Sequence, residues 1–179
     1  MGAGAGLPEI PFPVDQVVTA LDPSWTLGDR FVDSRGRIFC LWQIDPALTR
    51  NTFATGECAA LKASGVVTND VSDASNATYP TFAGMALGSL PESTSTTTTR
   101  YGLFLVKGRA TATLTDGNVV LASAFLLGLN TSVDGGCIPI DETSAALAFG
   151  LLEAMTVGHA LADDVSTACD VYVSSKVFG

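Results

Sequence analysis

The pattern that decides the fold lies at positions 101–114, which read YGLFLVKGRATATL. Its second half alternates polar and small apolar residues, as a strand with one solvent-facing side does. The turn pair Asp116-Gly117 and the run NVVL at 118–121 follow, so the pattern predicts a β-hairpin. Gly108, inside the first strand, predicts a bulge or a close approach by another part of the backbone.

A second hairpin is predicted at positions 30–42. The runs 30–32 and 37–42 are rich in aromatic and β-branched residues, and the turn between them ends in Gly36, where a positive φ is favourable. The central prediction from both hairpins is an all-β fold, either a compact β-barrel or a β-sandwich of short antiparallel strands.

Two C-terminal segments extend the same prediction. Residues 169–178 have the composition of a strand. Residues 144–158 carry both helix and strand signals, and we favour a strand from Phe149 onward.

The first 26 residues differ from the rest, because they are rich in glycine and then in proline. We therefore predict an extended N-terminal arm at 1–26, with a short helical turn at 15–21, and a single β domain at 27–179. The apolar side chains of the arm favour packing against a neighbouring subunit, as an added strand or in a groove. The candidate partner-binding residues of the arm are Leu7, Ile10, Phe12 and Val14.

Composition excludes several classes of function. The chain has 179 residues, of which 47% are hydrophobic and 15% charged, and its net charge is −9. Such an acidic protein has no electrostatic attraction to nucleic acid or to an anionic membrane. The apolar runs are shorter than the roughly 18 residues of a membrane span, and the N-terminus lacks the features of a secretory signal. We expect no nucleic-acid partner, no membrane partner and synthesis in a cytoplasm.

Chemical motifs are sparse. The single histidine, His159, sits among small apolar residues without a nucleophile motif, and no phosphate-binding loop occurs. The cysteines form no metal-ligand pattern, and we expect small buried thiols, while a disulfide remains an open alternative. No enzyme activity, cofactor or metal is therefore expected. The four cysteines are Cys40, Cys58, Cys137 and Cys169.

Three arginines, Arg30, Arg35 and Arg37, cluster around the hairpin at 30–42. In an acidic protein, such a cluster is a candidate patch for recognising carboxylates on a partner. The alternative is that these are ordinary solvated charges of a turn.

Three groups of residues carry a resemblance to a known family. The opening WTLGDRFVDSRGRIF at 25–39, the central AGMAL at 83–87 with YGLFLVKGRA at 101–110, and the ending GHAL at 158–161 with VYV at 171–173 resemble small virion structural proteins of tailed bacteriophages. The resemblance implies a capsid decoration, or cement, protein with a β-rich fold. It further implies a location on the capsid surface of the virion, synthesis in the host bacterial cytoplasm, the major capsid protein as partner, a homotrimer and no catalytic residues.

Two alternatives belong to other classes of function. A carbohydrate- or host-binding β module, as a fibre or head-fibre component, would use exposed aromatic rings as a stacking platform, and the candidates are Trp25, Trp42, Tyr79 and Tyr101. A small β-barrel hydrolase would use a pair of carboxylates, and we rank it last.

Overall fold

The structure is a computed structural model that describes residues 6–63, 65–75, 80–94, 98–114, 126–130, 132–139, 155–161 and 168–175. These residues form β-strands joined by turns, with two short 3₁₀ turns at Thr49–Asn51 and Val71–Asp73. The all-β prediction is confirmed. The strands are β1 Arg30–Val32, β2 Ile38–Ile44, β3 Thr52–Phe53, β4 Cys58–Ala63, β5 Val66–Thr68, β6 Phe82–Met85, β7 Leu90–Pro91, β8 Arg100–Thr113, β9 Leu126–Leu129, β10 Cys137–Pro139, β11 Thr156–Ala160 and β12 Ala168–Ser174.

Five strands close into a small barrel. They follow the order β2-β5-β4-β6-β8, and β8 pairs back onto β2, which removes the free edges of this sheet. The pairs are antiparallel except β2–β5, which is parallel. After β2 the chain first adds β4 to the barrel and then turns back as β5. Strand β5 lies between β4 and β2, and it runs in the same direction as β2. The predicted compact β-barrel is thus confirmed, with one departure from antiparallel pairing.

Strand β8 joins the barrel to a second group of strands. Its N-terminal half pairs with β2, and its C-terminal half, from Lys107 to Thr113, pairs with β12. Beyond β12 the sheet continues through β11 and β9 to β10. Residues 102–106 are buried on both faces, whereas 107–113 broadly alternate between exposed and buried, as the period-two pattern predicts.

The barrel interior is filled by alternate residues of its five strands, together with residues from outside them such as Phe53 of β3. Phe104 of β8 packs edge-on against Phe53, with ring centroids 5.0 Å apart. Small residues such as Ala59 and Ala83 leave room for these two rings. The interior of a barrel of about eight strands is just wide enough for side chains, and a five-stranded barrel is narrower, so its interior has space for little else.

A second hydrophobic cluster covers the outside of the barrel. Leu103 and Leu105, which alternate with Phe104 on β8, pack there with residues of the second group of strands such as Val157 and Val171. The N-terminal arm closes this cluster, because Ile10, Phe12, Val14, Leu21 and Trp25 pack against it.

The described part of the arm, residues 6–26, lies along its own β domain. The backbone of Ile10 donates to Val32 at 3.0 Å, and Val32 donates to Pro8 at 2.8 Å, so the arm extends the edge of β1. Further along, Val18 and Tyr101 exchange two backbone hydrogen bonds of 3.0 and 2.9 Å. The predicted helical turn at 15–21 is wrong, because Val18 gives its backbone groups to an antiparallel bridge with Tyr101.

The remaining strand predictions are largely confirmed. Strands β1 and β2 form the expected hairpin, and Gly36 has a φ of 75° in its turn. The strand favoured from Phe149 onward is present at Thr156–Ala160, while 144–154 lie outside the described residues. Strand β12 covers the first part of the strand predicted at 169–178, and 176–178 lie outside the described residues. The hairpin turn and second strand predicted at 115–121 also lie outside the described residues.

Candidate functional site

A groove with a volume of about 420 Å³ runs between the β1–β2 turn and the start of the second group of strands. We call it the basic groove, because three of its six lining residues are arginines. The turn contributes Arg35, Gly36 and Arg37, and strands β8 and β12 contribute Gly108, Arg109 and Tyr172.

Asp33 organises the turn on one side of this groove. Its carboxylate accepts hydrogen bonds from the backbone N–H groups of Arg35 and Arg37, both at 2.9 Å, and from Arg37 Nε at 2.8 Å. Burial opposes ionisation of Asp33, but these hydrogen bonds and the charge of Arg37 together hold the pKa of the carboxyl below its ordinary value. The turn therefore presents Arg35 and Arg37 from a fixed backbone.

Arg37 is held by three contacts. Besides its ion pair with Asp33, its guanidinium carbon lies 5.5 Å from the centroid of the Phe39 ring. Its side chain also lies over Gly108, where a Cβ would stand 2.7 Å from Arg37 Cγ. The prediction at Gly108 was a bulge or a close backbone approach: Arg37 Cα would lie 3.4 Å from the added Cβ, beyond the nearer side-chain atoms, and the register of β2 and β8 shifts between Ile38 and Phe39.

Positive charge is left unpaired around the groove. Arg35, Lys107 and Arg109 are exposed, and their side chains have no ion-pair or hydrogen-bond partner among the described residues. Three other cations of the described residues are engaged. Arg50 pairs with Glu57, and Lys62 pairs with Asp45 and Asp73. Arg100 donates a hydrogen bond to the Glu92 carbonyl. In the described part of this acidic protein, the cations without such a partner thus lie near one another.

Arg109 is the first of three residues that lie side by side on neighbouring strands of the second group. Arg109 on β8 pairs in register with Tyr172 on β12, which pairs with His159 on β11. The rings of His159 and Tyr172 stack with centroids 5.6 Å apart and planes 28° apart. His159 is half-buried in this row.

The structure divides the sequence-predicted arginines. Arg35 and Arg37 meet in the basic groove, whereas Arg30 lines a separate groove with Trp25 and Phe31. Arg109 is the member that sequence reasoning missed. Its exposed position in the period-two pattern was readable, but its neighbours depend on the pairing of β8 with β12 and on the position of the β1–β2 turn.

The predicted arm residues occupy two environments. Ile10, Phe12 and Val14 pack against the hydrophobic cluster of their own chain. Leu7 is 37% exposed. Their contact with a partner stays a prediction, and the arm's first role in this structure is to cover its own core.

The aromatic residues considered for a stacking platform are mostly engaged. Trp42 is buried in the barrel, and its Nε1 donates to the Ala83 carbonyl at 2.8 Å. Trp25 packs between Phe12 and Phe31, with ring centroids 6.2 and 6.1 Å away. Tyr101 is half-buried beside the arm, and Tyr79 lies outside the described residues.

The buried carboxylates are tied into the protein. Glu57 accepts hydrogen bonds from the Ala54 N–H at 2.9 Å and from Asn69 Nδ2 at 3.2 Å, and it forms an ion pair with Arg50. Asp45 lies 2.7 Å from Lys62 Nζ. Both carboxylates are buried and engaged in these contacts, so neither stands open to a substrate.

The four cysteines are buried and free. Burial raises the pKa of Cys40 to about 12. A hydrogen bond with Cys137, together with burial, raises the pKa of Cys58 well above its ordinary value. Within the described ranges, no three His, Cys, Asp or Glu side chains are grouped to hold a metal ion. Among the described residues, no helix has the length and apolar character needed to span a membrane.

Comparisons with known proteins give little. No protein-family model and no curated protein sequence matches the chain. Among solved structures, the chain is similar to the N base of head fiber gp8.5 of bacteriophage phi29, with a TM-score of 0.41 and 8% sequence identity, over 76% of this chain and 95% of that one. A likeness this weak supports no conclusion about function.

Proposed function

We propose that this protein is a structural component of a tailed-bacteriophage virion, which binds the major capsid protein on the head surface as a decoration protein. The observation that carries the proposal is the basic groove, where Arg35 and Arg109 have no ion-pair or hydrogen-bond partner among the residues that the structure describes and lie beside the fixed Arg37. Unpaired cations on an acidic protein form a local surface for a partner with acidic groups, because close opposite charges attract although the rest of the protein is negative.

The build of the barrel supports the same role. The side chains of the five strands fill its interior, and the arm covers the outer cluster through Ile10, Phe12 and Val14. Such a closed module suits a protein whose work is done at its surface, and it needs no catalytic group. The phage assignment and the homotrimer rest on the resemblance in residues 25–39, 83–87, 101–110, 158–161 and 171–173.

The proposal predicts where the chain is found. Virions purified from the phage that encodes it should contain the chain, and quantitative mass spectrometry should count it in a fixed ratio to the major capsid protein. Heads separated from tails should retain it. Its absence from purified virions, or its recovery with tails, would overturn the decoration role.

A second candidate is a host- or carbohydrate-binding module. The observation that favours it is Tyr172, a half-buried aromatic side chain that lines the basic groove. This candidate predicts binding of purified protein to host cells and blocking of phage adsorption by added protein. A decoration protein would do neither.

A further inference from the structure

We infer that the basic groove binds an acidic peptide segment, with the carboxylates of the peptide held by Arg35 and Arg109. The inference deepens the proposed function, because it names the chemistry of the partner surface that this groove would contact on the capsid. The decoration role supplies the context, but the binding itself is a property of the isolated chain and is tested on it.

The three arginines of the groove have different tasks. Arg37 already pairs with Asp33 and is packed against Phe39 and Gly108, so it shapes the wall of the groove and its charge is already balanced. Arg35 and Arg109 are exposed and unpaired among the described residues, so their guanidinium groups are free to engage a ligand. A guanidinium presents parallel N–H donors that match the two oxygens of a carboxylate.

The shape of the surface suits an extended chain. A second groove of about 360 Å³ shares Arg35 and Arg37 with the basic groove and continues to Glu9 and Ile10 of the arm. A peptide can therefore lie across the turn through both grooves. Glu9 repels carboxylates at the far end, so the acidic part of the peptide lies toward Arg109.

Two other anionic ligands fit less well. A nucleic acid carries dense negative charge along its whole length, and the protein's net charge of −9 repels it outside the groove. An acidic polysaccharide likewise carries negative charge on many successive sugars, so the net charge of the protein repels it outside the groove as well. A short peptide with a few carboxylates needs only the local cations.

The test is fluorescence anisotropy with the full chain and a labelled ten-residue peptide of alternating glutamate and serine. The matched peptide with glutamine in place of glutamate should bind at least tenfold more weakly. Arg35→Gln and Arg109→Gln should each weaken binding of the acidic peptide about tenfold, which corresponds to about 1.4 kcal/mol. Raising the salt concentration should weaken it further.

Lys107→Gln is the matched control. Lys107 is on the same strand as Arg109, two residues away, and is also exposed and without a partner in the described chain, but it does not line the groove. Its removal should change affinity less than about twofold, since only the overall charge is altered. Arg35→Lys and Arg109→Lys keep the positive charge but lose the parallel N–H donors of the guanidinium group. They should retain part of the affinity for the acidic peptide, and they provide the test where a glutamine variant fails to fold.

Three results would overturn the inference. These are equal binding of the two peptides, an unchanged affinity in folded Arg35 and Arg109 variants, or stronger competition by polygalacturonate or an oligonucleotide than by unlabelled acidic peptide. The outcomes are separable from those of the proposed function. A head-bound chain that ignores acidic peptide disproves only the groove ligand, and a chain absent from virions that binds it disproves only the decoration role.

Discussion

Gly108 and Arg37 lie in direct contact, with the missing Cβ of Gly108 leaving the space that Arg37 Cγ fills. The contact joins the β1–β2 turn to the point where β8 leaves the barrel. It therefore fixes the two sides of the basic groove relative to each other, and a change at either residue should reach both the stability of the fold and the shape of the groove.

Gly108→Ala should lower the free energy of unfolding by about 2–4 kcal/mol. The φ of 134° at Gly108 disfavours any side chain, and the new Cβ would also overlap Arg37. Gly36→Ala is the control, because its φ of 75° is strained but the space around it is open, and it should cost about 1–2 kcal/mol. Urea denaturation measures both, and equal losses would contradict the account of the contact.

Asp33→Asn should lower the free energy of unfolding by about 1–2 kcal/mol at neutral pH, since the turn loses hydrogen bonds to a charged acceptor. The folded-state pKa of Asp33 lies below its ordinary value of 3.8. Its contribution is therefore fully present above that value and is lost as the pH falls through the folded-state pKa. The difference between the two proteins should shrink in acid. Glu9→Gln, on the exposed arm, should change stability by less than about 0.5 kcal/mol at either pH.

Phe12→Ala should destabilise the isolated chain by about 1–2 kcal/mol, because Phe12 packs against the outer hydrophobic cluster and the ring of Trp25. Leu7→Ala should change the stability by less than about 0.5 kcal/mol, since Leu7 is exposed. Thermal unfolding monitored by circular dichroism provides the measurement. If Phe12→Ala were as stable as the parent, the arm would not belong to the fold of the single chain.

The cysteines give a further prediction. Without reductant, the unfolded protein should react with a thiol reagent at all four positions, and the native protein should react slowly at each, because the thiols are buried and free. The high pKa of Cys40 keeps its reactive thiolate scarce near neutral pH. A count of two thiols in denaturant would show a disulfide that this structure does not contain.

The sequence predicted the strands themselves better than the pairing between distant segments. The period-two pattern at 107–113 and the turn at Gly36 identify β8 and the β1–β2 hairpin, because alternation and positive φ are local properties. The helical turn at 15–21 failed because a long-range partner, Tyr101, pairs with Val18. Likewise, nothing local shows that β5 inserts beside β2 in parallel.

Two of the three arginines of the candidate site were predicted from the sequence. Arg35 and Arg37 stand close in sequence, so their clustering was visible. Arg109 joins them only because β8 leaves the barrel at Gly108 and pairs with β12, a register that one sequence does not encode in any local pattern. Arg30 was grouped with them by sequence distance, but at the start of β1 it lines another groove.

Cryo-EM of intact virions from the phage that encodes this chain tests the central claim most directly. The account predicts density for the β-barrel at regular positions on the head shell, with the groove of Arg35 and Arg109 against an acidic segment of the neighbouring protein. A shell without this density, or the barrel at the tip of a fibre with the groove open to solvent, would contradict it.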